Sequence, residues 1–519
     1  MRRRSAAPSV SSRPKVILIV LVLSIFTYFN YKWALSSRGS GGGSRSAPGT
    51  TGGKTSQQAT GAAGLTVEEH PSQVPATQQV PHESGVQYSP AGDPHTTAPD
   101  KQIFNISFTE ALSLFQDNQA AEVHEDIKQP TKGFVDVLEH PDHGVLLPHD
   151  PLQVSPEEEW MACDQRNAEF TVERDALCQR YLSNLNNMRS IKALSAVLKR
   201  GRTIKFKIFY HHNNIEAIVK VSQNKFVFEP VSEYLAYALD RELNFTRTPT
   251  AAYVPLPLDF MKAASAIVSP FFSQWFRYFI MDYEYTKRFF VHCSYAGGPE
   301  GQKDCSLVSI QLWMKDLHSA LYTTLAVPYE YDEHFARKYL NPTGAKRWPP
   351  KPERLRAVGD LNVRFIFDFM MGNTDRGMND HNNFVYGGCD STTRCAPEPP
   401  EDRTKGIAKY AFVDHGSSFY SRKEPEDNPF TGNLTDVLIC RYRKSTYDSL
   451  KRFLPTNEDK EPLITAVRTK LPKNLFRIVS VHTFQQTQVR LEKILTVIET
   501  CITKYGAAGV FSLPEYWEG

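Results

Sequence analysis

The apolar run from Val16 to Phe29, continued weakly by Tyr31, Trp33 and Leu35, divides this 519-residue chain into two very unequal parts. Arg2, Arg3, Arg4, Arg13 and Lys15 precede it. A bilayer span needs about 20 apolar residues, and this run suffices if Lys32 snorkels to the surface. Positive charge before the run favours a cytosolic N-terminus and a lumenal remainder. A cleaved signal peptide is the rival reading, but no clean small-x-small site follows Phe29. The expectation is a cytosolic tail over 1–15, a signal-anchor over 16–35, a mostly disordered lumenal stem over 36–156 and a folded domain over 157–519. A short span suits the thinner membranes of the early secretory pathway.

All eight cysteines lie beyond the run, as expected of disulfides on an oxidising side. Near neighbours in sequence suggest Cys163–Cys178, Cys293–Cys305 and Cys389–Cys395, which leaves Cys440–Cys501. No C-x-x-C spacing favours zinc. Asn105-Ile-Ser, Asn244-Phe-Thr and Asn433-Leu-Thr are glycosylation acceptors in a lumenal chain. The formal charge of +3 and the absence of any nucleic-acid motif argue against a nucleic-acid partner.

From Ser36 to Pro99 the chain is rich in Gly, Ser, Thr, Pro and Gln, too poor in large apolar groups to offset chain entropy. Phe108, Leu112 and Phe115 recur at helical spacing. Strand signals come first in the folded domain: Thr203–Tyr210 alternates, and Glu216–Val221 follows after a turn over His211–Asn214. Val231, Leu235 and Leu239 mark a helix beginning near Glu229. A strand is expected over Ser306–Leu312. Buried helices are expected around Val363–Met370 and from Leu491 to a stop near Gly506. The order predicts an α+β fold, a strand-rich lobe followed by a helical one.

Polar chemistry concentrates between Gly372 and Asn383, directly after a buried helix. The apolar run Phe384–Tyr386 follows, and Tyr410–Val413 leads into Asp414-His-Gly416. If the two runs pair as an antiparallel hairpin, the loop from Asp375 to Asn383 lies beside Asp414. Phosphoryl transfer needs one carboxylate to orient a hydroxyl, others to hold metal, and a strand lysine to neutralise phosphates. Lys220, between inward-facing Val219 and Val221, is the candidate lysine, and Glu233 on the next helix is placed to face it or a metal. Taken singly, such groups are usually solvated or structural; their order along the chain is what carries meaning. Gly49–Thr55 imitates a phosphate loop, but Pro48 stands where the first glycine is required.

Ala217–Lys220, Glu233–Leu243, Cys293–Tyr295, Phe367–Arg376, Val413–Gly416 and Cys440–Tyr447 together resemble the secretory-pathway kinase family. That family includes the Golgi casein kinase and the glycosaminoglycan xylosylkinase and is distantly related to the four-jointed kinases. The resemblance runs from about Gly201 to Val510. It implies an atypical, bilobal protein-kinase-like fold over 157–519, ATP as phosphate donor, and manganese (or magnesium). It implies Asp375 as the catalytic-loop acid and Asp414 as metal and cofactor ligand. Lys220 would lie on the nucleotide phosphates, and Glu233 would help hold metal. The family typically has His-His-Tyr-Glu after Asp-Arg; here Gly377–Asn383 intervenes, and Asn383, with Asp380 as rival, is the expected second metal ligand.

The implied activity is transfer of phosphate to a serine of secreted proteins or to a glycan hydroxyl. The expected place is the Golgi membrane, single-pass type II, with possible release after stem cleavage. A pseudokinase scaffold that activates a paralogue is the alternative, and a homo- or heterodimer with a paralogue would suit either. A Golgi glycosyltransferase ranks below both for want of an Asp-x-Asp.

Overall fold

The structure is a computed structural model. It describes residues 104–120, 143–163, 170–194, 203–296, 303–314, 317–319, 336–344, 352–376, 384–386, 409–419, 424–425, 428–432, 439–476 and 481–515. All of these belong to the second of two compact units, Gly92–Gly519. The expected anchor and most of the stem, Asp380, Asn383, Cys389, Cys395 and Asn433 lie outside the described residues. Among the described residues, no helix is long and apolar enough to cross a membrane.

The strand-rich part is built on alternation. In β4 (Lys205–Tyr210), Phe206, Ile208 and Tyr210 are buried while the residues between them are partly exposed. β5 (Glu216–Val221) buries Ala217, Val219 and Val221 on the same core. The turn between them sets Asn213 and Asn214 at φ +51° and +48°, a left-handed conformation that asparagine tolerates better than most residues. The sheet has eight strands: β1 (Phe104–Ile106), β2 (His143–Leu146), β3 (Met188–Ala193), β4, β5, β6 (Ala251–Pro257), β7 (Phe290–Cys293) and β8 (Lys303–Leu312). Its order is β1-β2-β3-β4-β5-β8-β6, with β7 also on β8. Among the described strands, only β1 and β2 pair in parallel.

The folded part starts earlier than Glu157. β1 joins the sheet, and α1 (Phe108–Ala120) buries Ala111 and Phe115 in the same core as Phe260 and Phe276. Asn118 Nδ2 donates to Ser273 Oγ at 3.0 Å. The helical spacing of Phe108, Leu112 and Phe115 is visible in the sequence. Its packing partners stand far downstream, so nothing local attaches it to the domain. α2 (Val172–Ser183) is capped by Thr171, whose Oγ1 accepts from the Arg174 N–H at 3.2 Å.

α3 (Glu229–Glu242) packs on β5, β6 and β8, and α4 (Leu258–Ala266) packs on α1 and β3. Val231, Leu235 and Leu239 of α3 belong to a second core, shared with α5 (Pro352–Met371), α6 (Lys444–Lys451), α7 (Pro462–Lys470) and α8 (Val481–Val510). At Gly506, where a stop is expected, φ is +73° and the helix is broken, but helical turns resume to Val510. A small sheet of β9 (His318–Ser319), β10 (Phe384–Tyr386) and β11 (Lys409–Ala411) lies in order β11-β10-β9. The fold is thus mixed α+β, strands first and helices later.

Among the described residues the disulfides are Cys163–Cys178, Cys293–Cys305 and Cys440–Cys501. The last joins the segment before α6 to α8 across 61 residues of chain. Asn105 lies in β1, and Asn244 is exposed just past α3.

Candidate active site

Three elements bring charge to one point. β5 delivers Lys220: its neighbours Val219 and Val221 face the core, so the lysine is turned to the opposite side of the pleat. α3 supplies Glu229 and Glu233, one turn apart and therefore on one face. Asp414 stands three residues past β11. The Lys220 ammonium bonds Glu233 Oε1 and Asp414 Oδ1, and lies 3.7 Å from Glu229 Oε1. Lys205, opposite Lys220 in the β4–β5 register, lies 3.7 Å from Asp414 Oδ1. Directly opposed residues share a sheet face, which is why two lysines address one carboxylate.

Asp414 adopts φ +61°, a costly conformation for a residue other than glycine. Its surroundings hold it there. Glu233 Oε1 accepts the His415 N–H at 2.7 Å, and the Phe412 N–H donates to the Arg247 carbonyl at 3.1 Å. Deeper in, Asp360 of α5 accepts the Tyr410 N–H at 3.0 Å while its other oxygen takes Arg443 Nη1 at 2.7 Å. β11 is thereby pinned to the helical core, and Asp414 with it.

The loop carrying Asp375 is bracketed against the same turn. α5 ends at Met371, and Gly372 reverses the chain at φ +66°. A Cβ there would come within 2.3 Å of the Arg490 guanidinium, which would have to move, and the dihedral itself favours glycine. Asn373 donates through N to the Asp368 carbonyl at 2.9 Å, and its Oδ1 accepts the Asp375 N–H at 3.1 Å. Arg376 Nε donates to Asp368 Oδ2 at 3.2 Å, while Nη2 reaches the Asp414 carbonyl oxygen and His415 Nδ1, each at 3.4 Å. Thr374 Oγ1 donates to the Ser417 carbonyl at 3.4 Å. β10 and β11 pair antiparallel with Phe384 opposite Ala411, so the strand downstream of Asp375 lies beside the strand that leads to Asp414. Asp375 itself is exposed.

Burial and charge act against each other throughout. Burial alone would strip the Lys220 proton, but Asp414, Glu233 and Glu229 outweigh it and hold the ammonium charged. Burial alone would raise Asp414, but Lys220 and Lys205 hold its carboxyl well below the usual range. Glu229 goes the other way: burial lifts it to about 7 against the pull of Lys220 and Lys205. Burial lowers His415 to about 4, so at neutral pH its ring is uncharged and Nδ1 can face Arg376.

The oxygen donors suit a hard divalent cation. Glu233 Oε2 is buried without a hydrogen-bond partner, an acceptor left open inside the site. Asp414 is partly exposed beside it. These two would hold magnesium or manganese, and the two lysines fit the phosphates such a cation carries. Among the described residues, no cluster of three or more His, Cys, Asp or Glu has the arrangement of a metal site. The third ligand expected at Asn383 or Asp380 falls outside the described residues. Of the residues singled out from sequence, Lys220, Glu233 and Asp414 meet directly, and Asp375 lies on the loop bracketed to the Asp414 turn. Lys205 and Glu229 were missed. The signals available were the alternation that puts Lys205 on the strand beside Lys220, and the four-residue spacing from Glu229 to Glu233.

Among solved structures, the chain is similar to the crystal structure of the Golgi casein kinase, at 16% identity and a TM-score of 0.42, covering 81% of this chain and 96% of that one. It is similar to the Golgi casein kinase with Mn/ADP bound, at 15% identity and 0.42, covering 80% and 95%. It is also similar to hydra Fam20 with sugar, at 15% identity and 0.40, covering 69% and 98%. No family model and no curated protein sequence matches the chain.

Proposed function

We propose that this chain is an ATP-dependent phosphotransferase of the secretory-pathway lumen, acting on an alcohol acceptor: a serine of a secreted protein or a hydroxyl of a glycan. The observation that supports it is the convergence of Lys220, Glu233 and Asp414 beside the bracketed loop of Asp375. In this reading Lys220 and Lys205 neutralise the nucleotide phosphates, and Glu233 and Asp414 hold the cation. A bound divalent cation would screen the charge that develops on the transferred phosphoryl group. Asp375, which is exposed, accepts the proton of the incoming hydroxyl. Arg376 holds the two acids in register by joining Asp368 to the Asp414 carbonyl. The three disulfides suit an oxidising compartment. Anchoring at the Golgi membrane as a type II protein remains part of the proposal.

The test is turnover by the full chain purified from cells, with ATP, manganese and a panel of protein and glycan acceptors. Asp375→Ala should lower kcat at least about 100-fold, the usual scale of a positioned general base. Nucleotide binding without transfer to any acceptor would replace the kinase reading with the scaffold one.

A further inference from the structure

Both carboxylate oxygens of Glu229 are already engaged by neutral donors. Thr203 Oγ1 donates to Oε1 at 3.3 Å and Gln223 Nε2 donates to Oε2 at 3.1 Å. The side chain is 2% exposed. It is therefore closed to an incoming ligand, yet it touches the strand side of the site and the turn that carries Asp414. Thr203 leads into β4, which carries Lys205. Gln223 closes the turn from β5 to α3, and its Oε1 accepts the Ile204 N–H at 2.7 Å. Lys220 Nζ lies 3.7 Å from Oε1. On the other flank, Gly416 packs directly on the Glu229 side chain. A Cβ at Gly416 would lie 2.9 Å from Cγ, 3.1 Å from Oε1 and 3.3 Å from Cδ, with Glu229 supplying all three of the nearest atoms.

We propose that Glu229 is a positioning residue that sets the spacing between the two lysines and the Asp414 turn. It does so through its bonds to the strand side and its packing contact with Gly416. The inference rests on the kinase reading above. A Cβ at Gly416 would force the Glu229 side chain to shift, so a defect introduced at one position depends on what stands at the other.

That dependence is the test. Steady-state kinetics would be measured on the full chain for Gly416→Ala, Glu229→Ala, Glu229→Gln and the double variants. Gly416→Ala should lower kcat/KM about tenfold when Glu229 is present but less than about twofold in the Glu229→Ala background, because the clash is gone; contacting residues are expected to couple in this way. Glu229→Gln keeps the shape, so the Gly416→Ala penalty should persist there, and the single variant should retain more activity than Glu229→Ala. Thermal midpoints measured alongside separate this from simple unfolding. Additive effects, or equal losses of stability with kcat and KM unchanged, would overturn the positioning role while leaving the kinase reading standing. A native chain with no turnover would remove both.

Discussion

At the scale of single residues, the site is a balance of buried charge. Lys220 is nearly inaccessible and faces three carboxylates. Removing this ammonium leaves Glu233 and Glu229 buried without it and Asp414 with Lys205 alone, and breaking a buried pair in this way costs about 3–5 kcal/mol. Lys220→Met should therefore lower the stability of the nucleotide-free chain by that order, read as a shift of the urea midpoint; an unchanged midpoint would mean the lysine is solvated in solution. The sequence made Lys220, Glu233, Asp375 and Asp414 legible because each sits at a fixed place relative to an element: strand end, first helical turns, helix exit, strand exit. It did not reveal Glu229 or Lys205. A glutamate at the start of a helix reads as an ordinary favourable charge near the helix dipole, and a lysine alternating in a strand reads as a solvent-facing residue. Only the close approach of Gly416 and the β4–β5 register give them a role.

At the scale of elements, alternation and helical periodicity located β4, β5, α3, β8, α5 and α8, and the hairpin of β10 and β11 follows from two short apolar runs. What escaped was any element whose partners are distant. β1 and α1 are short, and their contacts reach residues such as Ser273 and Phe276. The turn from β4 to β5 carries its own prediction. His211 is half-buried with Nε2 unbonded, and burial, with His149, His212 and Arg189 nearby, lowers it to about 4. The unfolded chain takes up that proton near pH 6.5 while the folded chain resists it. Stability is thus complete above about pH 6.5 and declines as pH falls toward 4, by about 1 kcal/mol for a group this exposed. Urea midpoints at about pH 7 and about pH 5 should differ less in His211→Asn than in the native chain. An equal drop in both would assign the loss to other groups.

At the scale of the molecule, the groups of the candidate site come from both the strand-rich and the helical part. Lys220 and Lys205 belong to the sheet, Asp375 and Asp414 to the helical part, and α3 carries Glu229 and Glu233 between them. Such an arrangement binds a ligand only when the two parts are in register. The buried ties through Asp360, Asp368, Arg376 and Arg443 fix the helical side of that register. The most direct measurement is calorimetric titration of manganese–ADP into the full chain and into Lys220→Ala and Asp414→Ala. The account predicts manganese-dependent binding that weakens at least about tenfold in each variant, with the double variant losing less than the sum of the two because the residues act as a pair. Nucleotide binding indifferent to manganese and to both substitutions would contradict it.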